Sequence, residues 1–188
     1  MRLDVYEKYL LFFICFFGIL LRYVNHSYDN LWYDEIISFW VANPDFSFQE
    51  TLKQNKLLEV NSVTYNLILK YFFLVFGYSA ENGRLISVVC GSCSILTVGY
   101  LCKMLAKNRI YLFAVFLTSF NIYLISYSQE IRVYSMLFLF ASLNLIFFFK
   151  IINKKSIILS LGFAFSSIIL SSLHPFSLII FLSYALYL

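Results

Sequence analysis

Six apolar runs, each nearly free of charge, occupy residues 9–24, 85–104, 110–128, 133–150, 156–173 and 175–188. About 20 such residues cross a bilayer as a helix, the form in which a segment satisfies its own backbone hydrogen bonds away from water. The runs therefore predict an all-α chain, a polytopic transmembrane helical bundle forming one domain over residues 1–188. Composition agrees: with 61% hydrophobic and 13% charged residues and a mean hydropathy of +0.79, too little polar surface remains to cover a soluble domain. The net charge of +4 is spread in twos and threes between apolar runs, without the basic stripe of a nucleic-acid binder.

The first run has the length of a signal-peptide core, but Arg22-Tyr23-Val24-Asn25 follows in place of a small-x-small cleavage site. This reads as an uncleaved helix with Arg22 snorkelling to the interface. Residues 25–83 form a polar segment with interfacial helices between the first and second spans. Asp34 is placed to cap a short helix whose Ile36, Ile37, Trp40 and Val41 share a face, and which Asn43-Pro44 ends. Ser47-Phe48-Gln49-Glu50 has capping-box spacing for a second helix. Residues 62–77 are apolar but interrupted by Asn66 and Lys70 and closed by Gly77, too short to span, and read as a helix lying in the outer interface. Cys15, Cys90, Cys93 and Cys102 lie in or at the ends of apolar runs, and Cys90-Gly91-Ser92-Cys93 reads as the small-residue face of a packed helix. The last run is still apolar at Leu188, as expected for the amino-terminal part of a longer protein or for a short half-span.

Orientation follows from charge. If residues 62–77 do not cross, one side of the membrane holds eight bases and two acids and the other six bases and eight acids. The positive-inside rule puts the first side, with the amino terminus, in the cytoplasm. The outer face then gathers Asp34 and Glu35, Arg84, the turn Tyr127-Ser128-Gln129-Glu130-Ile131-Arg132-Val133-Tyr134, and His174. Ionisable groups at membrane depth are functional candidates. One carboxylate can take a proton from an acceptor, a second can orient the acceptor or hold a metal, and an arginine fork can grip a phosphate leaving group. Each also has a plainer reading: Asp34 and Glu35 as a helix cap and first-turn acid, Glu130 with Arg132 as a connector pair, Arg84 as a helix anchor, His174 as a boundary residue, and Tyr134 with Tyr111, Tyr123 and Tyr127 as an aromatic belt.

These residues carry a resemblance to membrane glycosyltransferases of the GT-C class, in the bacterial branch similar to protein O-mannosyltransferases and the lipid A aminoarabinose transferase (family 39-like). Trp32-Tyr33-Asp34-Glu35 resembles the family's aromatic-x-Asp-Glu motif, and Phe76-Gly77 with Arg84-Leu85 resembles its entry to the second span. The run from Tyr127 to Tyr134 is similar to Tyr-Ser-Gln-Glu-x-Arg-x-Tyr, and Ser172-Leu173-His174 resembles the histidine ending a later span. The chain departs from the family at Val60-Asn61-Ser62, where a proline-rich step is usual. The resemblance implies inverting transfer of a sugar from a polyprenyl-phosphate donor to a lipid, glycan or protein acceptor, at the outer face of the bacterial cell membrane. It makes Asp34 the catalytic base and Glu35 its partner. Glu130, Arg132 and Arg84 become the donor-phosphate site, with Tyr134 and His174 as further candidates. Some members hold a divalent metal at the acidic pair, here Asp34 and Glu35. The competing expectations are a non-catalytic subunit that binds or flips a lipid carrier, a truncated remnant of such an enzyme, and, on the slender ground of Asn121 and Asn144 inside apolar runs, a transporter.

Overall fold

The computed structural model describes residues 4–58, 62–106 and 109–187. Among these the fold is all-α, with no strand and ten helices: α1 (Val5–Tyr23), α2 (Tyr33–Val41), α3 (Phe48–Leu58), α4 (Val63–Phe76), α5 (Ala80–Leu105), α6 (Ile110–Phe120), α7 (Ile122–Ser128), α8 (Tyr134–Asn153), α9 (Ile157–Leu173) and α10 (Ser177–Tyr187). Helix α5 is the axis, packed against α1, α4, α6, α7 and α8. It can be because its inward face is small: Gly83, Ser87, Cys90, Gly91, Ser94 and Gly99 are all buried.

Two helices, α5 and α8, are long and apolar enough to cross a membrane, and α6 with α7 makes a third if the pair, bent by 55°, counts as one span. The other apolar runs read as spans, the last of them alternatively as a half-span, do not form helices that meet both measures. Helix α1 carries Glu7, Lys8 and Arg22 within its length, α9 has 17 residues, and α10 has 11 and starts at Ser177, beyond the turn around Pro175. The expected span over 110–128 is broken at Asn121, whose side chain accepts the Leu124 N–H at 3.1 Å and starts α7 afresh.

That break explains Arg22, which is 1% exposed and does not snorkel. Its guanidinium turns inward and donates to the carbonyls of Gly18 (2.8 Å), Thr118 (2.7 Å) and Ser119 (3.0 Å). The last two belong to the carboxyl end of α6, where carbonyls have no partner within their helix. In apolar surroundings such groups cost several kcal/mol each if left unmet, so the bend needs a donor of this reach. A Cβ at Gly91 would collide with Ser128 Oγ, so glycine there lets α7 and Arg22 meet on α5.

Polarity is inverted relative to a water-soluble bundle. Ser87, Ser94, Ser128, Ser135, Ser142, Asn144 and Ser166 are buried, while Phe12, Phe13, Phe16 and Phe17 of α1 and Ile157, Ile158, Leu161, Phe165 and Ile168 of α9 are exposed. Asn144 joins three helices: from α8 its amide donates to Ser166 Oγ and Ser167 Oγ of α9 at 2.8 Å each, and its carbonyl accepts from Tyr184 of α10 at 2.6 Å. Asn121 thus caps α7 and Asn144 ties α8 to α9 and α10.

The segment between α1 and α5 is helical as expected, and the capping box of α3 is present, with Ser47 and Glu50 meeting each other's backbone N–H groups at 2.7 and 3.2 Å. Val60 and Asn61, part of the departure from the proline-rich step, lie outside the described residues. The polar interruptions of α4 are its docking stripe: Asn66 donates to Asn55 of α3 at 2.7 Å, and Lys70 donates to Thr51 Oγ1 at 3.0 Å and to the carbonyl of Phe46. Its opposite edge, Tyr71, Leu74, Val75 and Phe76, is exposed. Gly77, at φ 97°, ends α4 in a conformation costly for any residue with a side chain.

Replacing Arg22 by Leu keeps the bulk but leaves the Thr118 and Ser119 carbonyls unmet. We expect a loss of about 1–3 kcal/mol in chemical denaturation, with Arg22→Lys recovering only part because an ammonium lacks the fork.

Candidate functional site

The polar cluster at one end of the bundle is built on a single buried ion pair. Arg84, in the second turn of α5, and Glu35, in the first turn of α2, have side chains 5% and 0% exposed. The two meet as fork to fork, Nε to Oε1 at 2.9 Å and Nη2 to Oε2 at 2.7 Å. Arg84 also donates to the carbonyls of His26 (3.0 Å), Asp29 (2.8 Å) and Asn30 (3.3 Å). Glu35 further accepts the N–H of Ile131 at 2.8 Å and of Trp32 at 3.3 Å. Five donors and four acceptor positions are thus all engaged, the full complement of a guanidinium and a carboxylate.

This pair corrects the local reading of α2. The N-cap is Trp32, whose backbone Glu35 caps; Asp34 lies inside the first turn. Of the expected apolar face Val41 is buried and Ile37 partly so, but Ile36 and Trp40 are about half exposed, and Glu35 and Ser38 turn inward instead. Burying a carboxylate is tolerable only with such a partner, and once Glu35 is fixed the rest of α2 must follow its rotation. Gly83, beside Arg84, lets the turn between α7 and α8 close in: a Cβ there would stand 2.6 Å from Ile131 Cδ1.

That turn presents its residues to two sides. Gln129 donates to the carbonyls of Leu21 (3.0 Å), Arg22 (3.3 Å) and Val24 (2.9 Å) and so closes the carboxyl end of α1. Glu130 accepts from Ser126 Oγ at 3.2 Å through Oε1, and its Oε2 is buried without a hydrogen-bond partner. Burial raises the Glu130 carboxyl above its ordinary range. On this side lies a cavity of about 240 Å³, lined by Asn25, His26, Asp29, Trp32, Gln129 and Glu130, with the Glu35–Arg84 pair in its wall.

On the other side Arg132 lies 3.6 Å from the Asp34 carboxylate and 3.3 Å from its carbonyl oxygen, with its guanidinium 5.8 Å from the Tyr134 ring. The Tyr134 ring stands 4.9 Å from that of Tyr127 and 6.4 Å from that of His174. His174 Nδ1 accepts the Phe176 N–H at 3.1 Å, which holds the turn into α10. The Asp34 side chain is 39% exposed, so of the two adjacent acids it is the one a solute can reach.

All seven residues singled out from the sequence are therefore at one end of the bundle, in two groups: Glu35, Arg84 and Glu130 around the cavity, and Asp34, Arg132, Tyr134 and His174 beside it. Sequence reasoning missed Arg22, His26 and Gln129. Gln129 lay inside the quoted motif, and Arg22 stood out as a charge one turn beyond Gly18 on an apolar helix. The Asp34–Glu35 pair does not suit a divalent ion, because every acceptor position of Glu35 is taken; among the described residues no three His, Cys, Asp or Glu side chains converge. Comparison with protein-family models, curated proteins and solved structures gives no match.

Two outcomes follow. Arg84→Ala or Glu35→Ala should each cost about 3–5 kcal/mol, and the double replacement Glu35→Met/Arg84→Met clearly less than the sum, in a denaturation cycle. Glu130, with its folded pKa raised, contributes stability that is complete below the ordinary carboxyl value and is lost as pH rises through the folded one. Glu130→Gln should flatten that fall in unfolding midpoints taken from about pH 4 to pH 8.

Proposed function

We propose that the chain is a polytopic GT-C-type membrane glycosyltransferase that moves a sugar from a polyprenyl-phosphate carrier to a lipid, glycan or protein acceptor at the outer face of the cell membrane. The observation that carries this reading is the reachable carboxylate of Asp34 beside the Arg132 guanidinium, next to a polar cavity of about 240 Å³. The inverted polarity supports membrane embedding, and the bias of basic residues toward the other end supports a cytoplasmic amino terminus.

In this reading Asp34 takes the proton of the acceptor hydroxyl or amine as that atom forms its bond to the anomeric carbon. The bond from that carbon to the phosphate oxygen breaks on the opposite face, which inverts the centre and releases polyprenyl phosphate. Arg132 holds the phosphate while charge develops on it, an electrostatic role worth more beside a membrane than in water. Trp32 and the amide of Asn25, both in the cavity wall, offer the flat face and a donor that a sugar uses. Glu35 and Arg84, with every donor and acceptor engaged, hold Asp34 in place without touching substrate; the family-like role of Arg84 in gripping phosphate passes to Arg132.

The saturation of that pair favours one alternative, a subunit that binds the lipid carrier without transfer, because only one acid of the motif remains open. Transfer of radiolabelled sugar from polyprenyl-phosphate donors, in membranes carrying the chain, separates the two. Asp34→Asn should lower transfer at least a hundredfold with donor binding retained, given the usual contribution of a general base. Arg132→Ala should weaken donor binding about tenfold or more, as loss of a charged hydrogen-bond partner does. Donor binding with no transfer by the unaltered chain would leave the carrier-binding reading in front, and full turnover by Asp34→Asn would remove Asp34 from the chemistry.

A further inference from the structure

At the end of the bundle away from Asp34 and Glu35, a second cavity of about 170 Å³ opens between α1, α5 and α6. Its walls are almost wholly apolar, formed by Leu11 and Cys15 of α1, Leu96 and Tyr100 of α5, and Val115 of α6. From Leu96 to Lys103 it follows α5 for seven residues, about 10 Å at the rise of an α-helix. Its mouth is cationic. Lys103 lines the cavity and lies 5.1 Å from the ring of Tyr111, and Lys150 of α8 lies 4.7 Å from the ring of Tyr100, itself a wall residue.

What matters is which charges at this end are already neutralised. Arg109 is consumed by the amino terminus of α1, Nη2 to Asp4 at 2.8 Å and Nε to Glu7 at 2.8 Å. Among the described residues no carboxylate pairs with Lys103 or Lys150. A half-open, mostly apolar slot about two helical turns long, with two cations near it that no carboxylate pairs, matches an amphiphile with one anionic head and a hydrocarbon chain. A zwitterionic head would bring its own cation to a rim that already holds two.

The geometry points to a binding site for one anionic phospholipid, its acyl chain in the α1–α5–α6 slot and its phosphate between Lys103 and Lys150. The inference rests on the membrane embedding stated above and is independent of the glycosyl-transfer chemistry at the other end. A lysine near an anionic headgroup contributes about 1 kcal/mol, which is a preference of about fivefold.

The test is native mass spectrometry of the full chain released from nanodiscs made of equal parts phosphatidylglycerol and phosphatidylcholine with identical chains. The unaltered protein should retain one phosphatidylglycerol at least fivefold over phosphatidylcholine. Lys103→Gln should lower the ratio, Lys103→Gln/Lys150→Gln should bring it toward one, Lys103→Arg should keep it, and Lys155→Gln, outside the slot, should leave it unchanged. Leu11→Trp, which fills the slot and spares the charges, should remove the retained lipid altogether. Equal retention of the two lipids by the unaltered protein, or an undiminished preference in Lys103→Gln/Lys150→Gln, would overturn the site. Extraction of the chain into the soluble fraction by alkaline carbonate would overturn the embedding instead, a result distinct from either.

Discussion

A carboxylate with no exposure to solvent is tolerated only where its whole acceptor capacity is met, and Glu35 sets that condition for one end of this molecule. Its two oxygens draw in the guanidinium of Arg84, the backbone of Trp32 and the backbone of Ile131, which come from α5, the start of α2 and the α7–α8 turn. Arg84 in turn gathers the carbonyls of residues 26, 29 and 30, so the loop leaving α1 folds over the same centre. The rotation of α2, the depth of the α7–α8 turn and the wall of the polar cavity all depend on this one pairing. Asp34 is exposed because its neighbour is not.

Arg22 does for the bundle interior what Arg84 does for its end. Both guanidiniums gather backbone carbonyls that irregular chain would otherwise leave unmet, Arg22 at the α6–α7 break and Arg84 in the loop before α2. The chemistry left over is sparse. Asp34 and Arg132 lie side by side across the α7–α8 turn from the cavity, and Glu130, in the cavity wall, keeps one buried oxygen unmet. A transferase that relies on a single base and a cation for its leaving group needs little more than this, provided the surrounding frame does not move.

The all-α class was legible in the sequence because apolar runs of this length have few alternatives, and so were the helices between α1 and α5, whose caps and stops at Ser47, Pro44 and Gly77 are local signals. The number of full spans was not. The break at Asn121 depends on Arg22, nearly a hundred residues earlier in the chain, and no window of sequence contains both. The site residues were legible as a set, because polarity is rare enough in this chain to stand out wherever it occurs. Their division of labour was not: Asp34 and Glu35 are adjacent and chemically alike, and only the approach of Arg84 from α5 makes one structural and leaves the other open. The same holds for Ile36 and Trp40, which share an apolar face by periodicity yet turn outward because Glu35 turns in.

Glu35 and Arg84 hold four separate segments in one arrangement. Amide hydrogen exchange at Trp32 and Ile131 reads that arrangement directly, since both N–H groups donate to the Glu35 carboxylate. Exchange should be slow at both amides in the unaltered protein and accelerate at both together in Arg84→Gln, although the two residues are far apart in the chain. Fast exchange at Ile131 in the unaltered protein, or acceleration of one amide without the other, would contradict it.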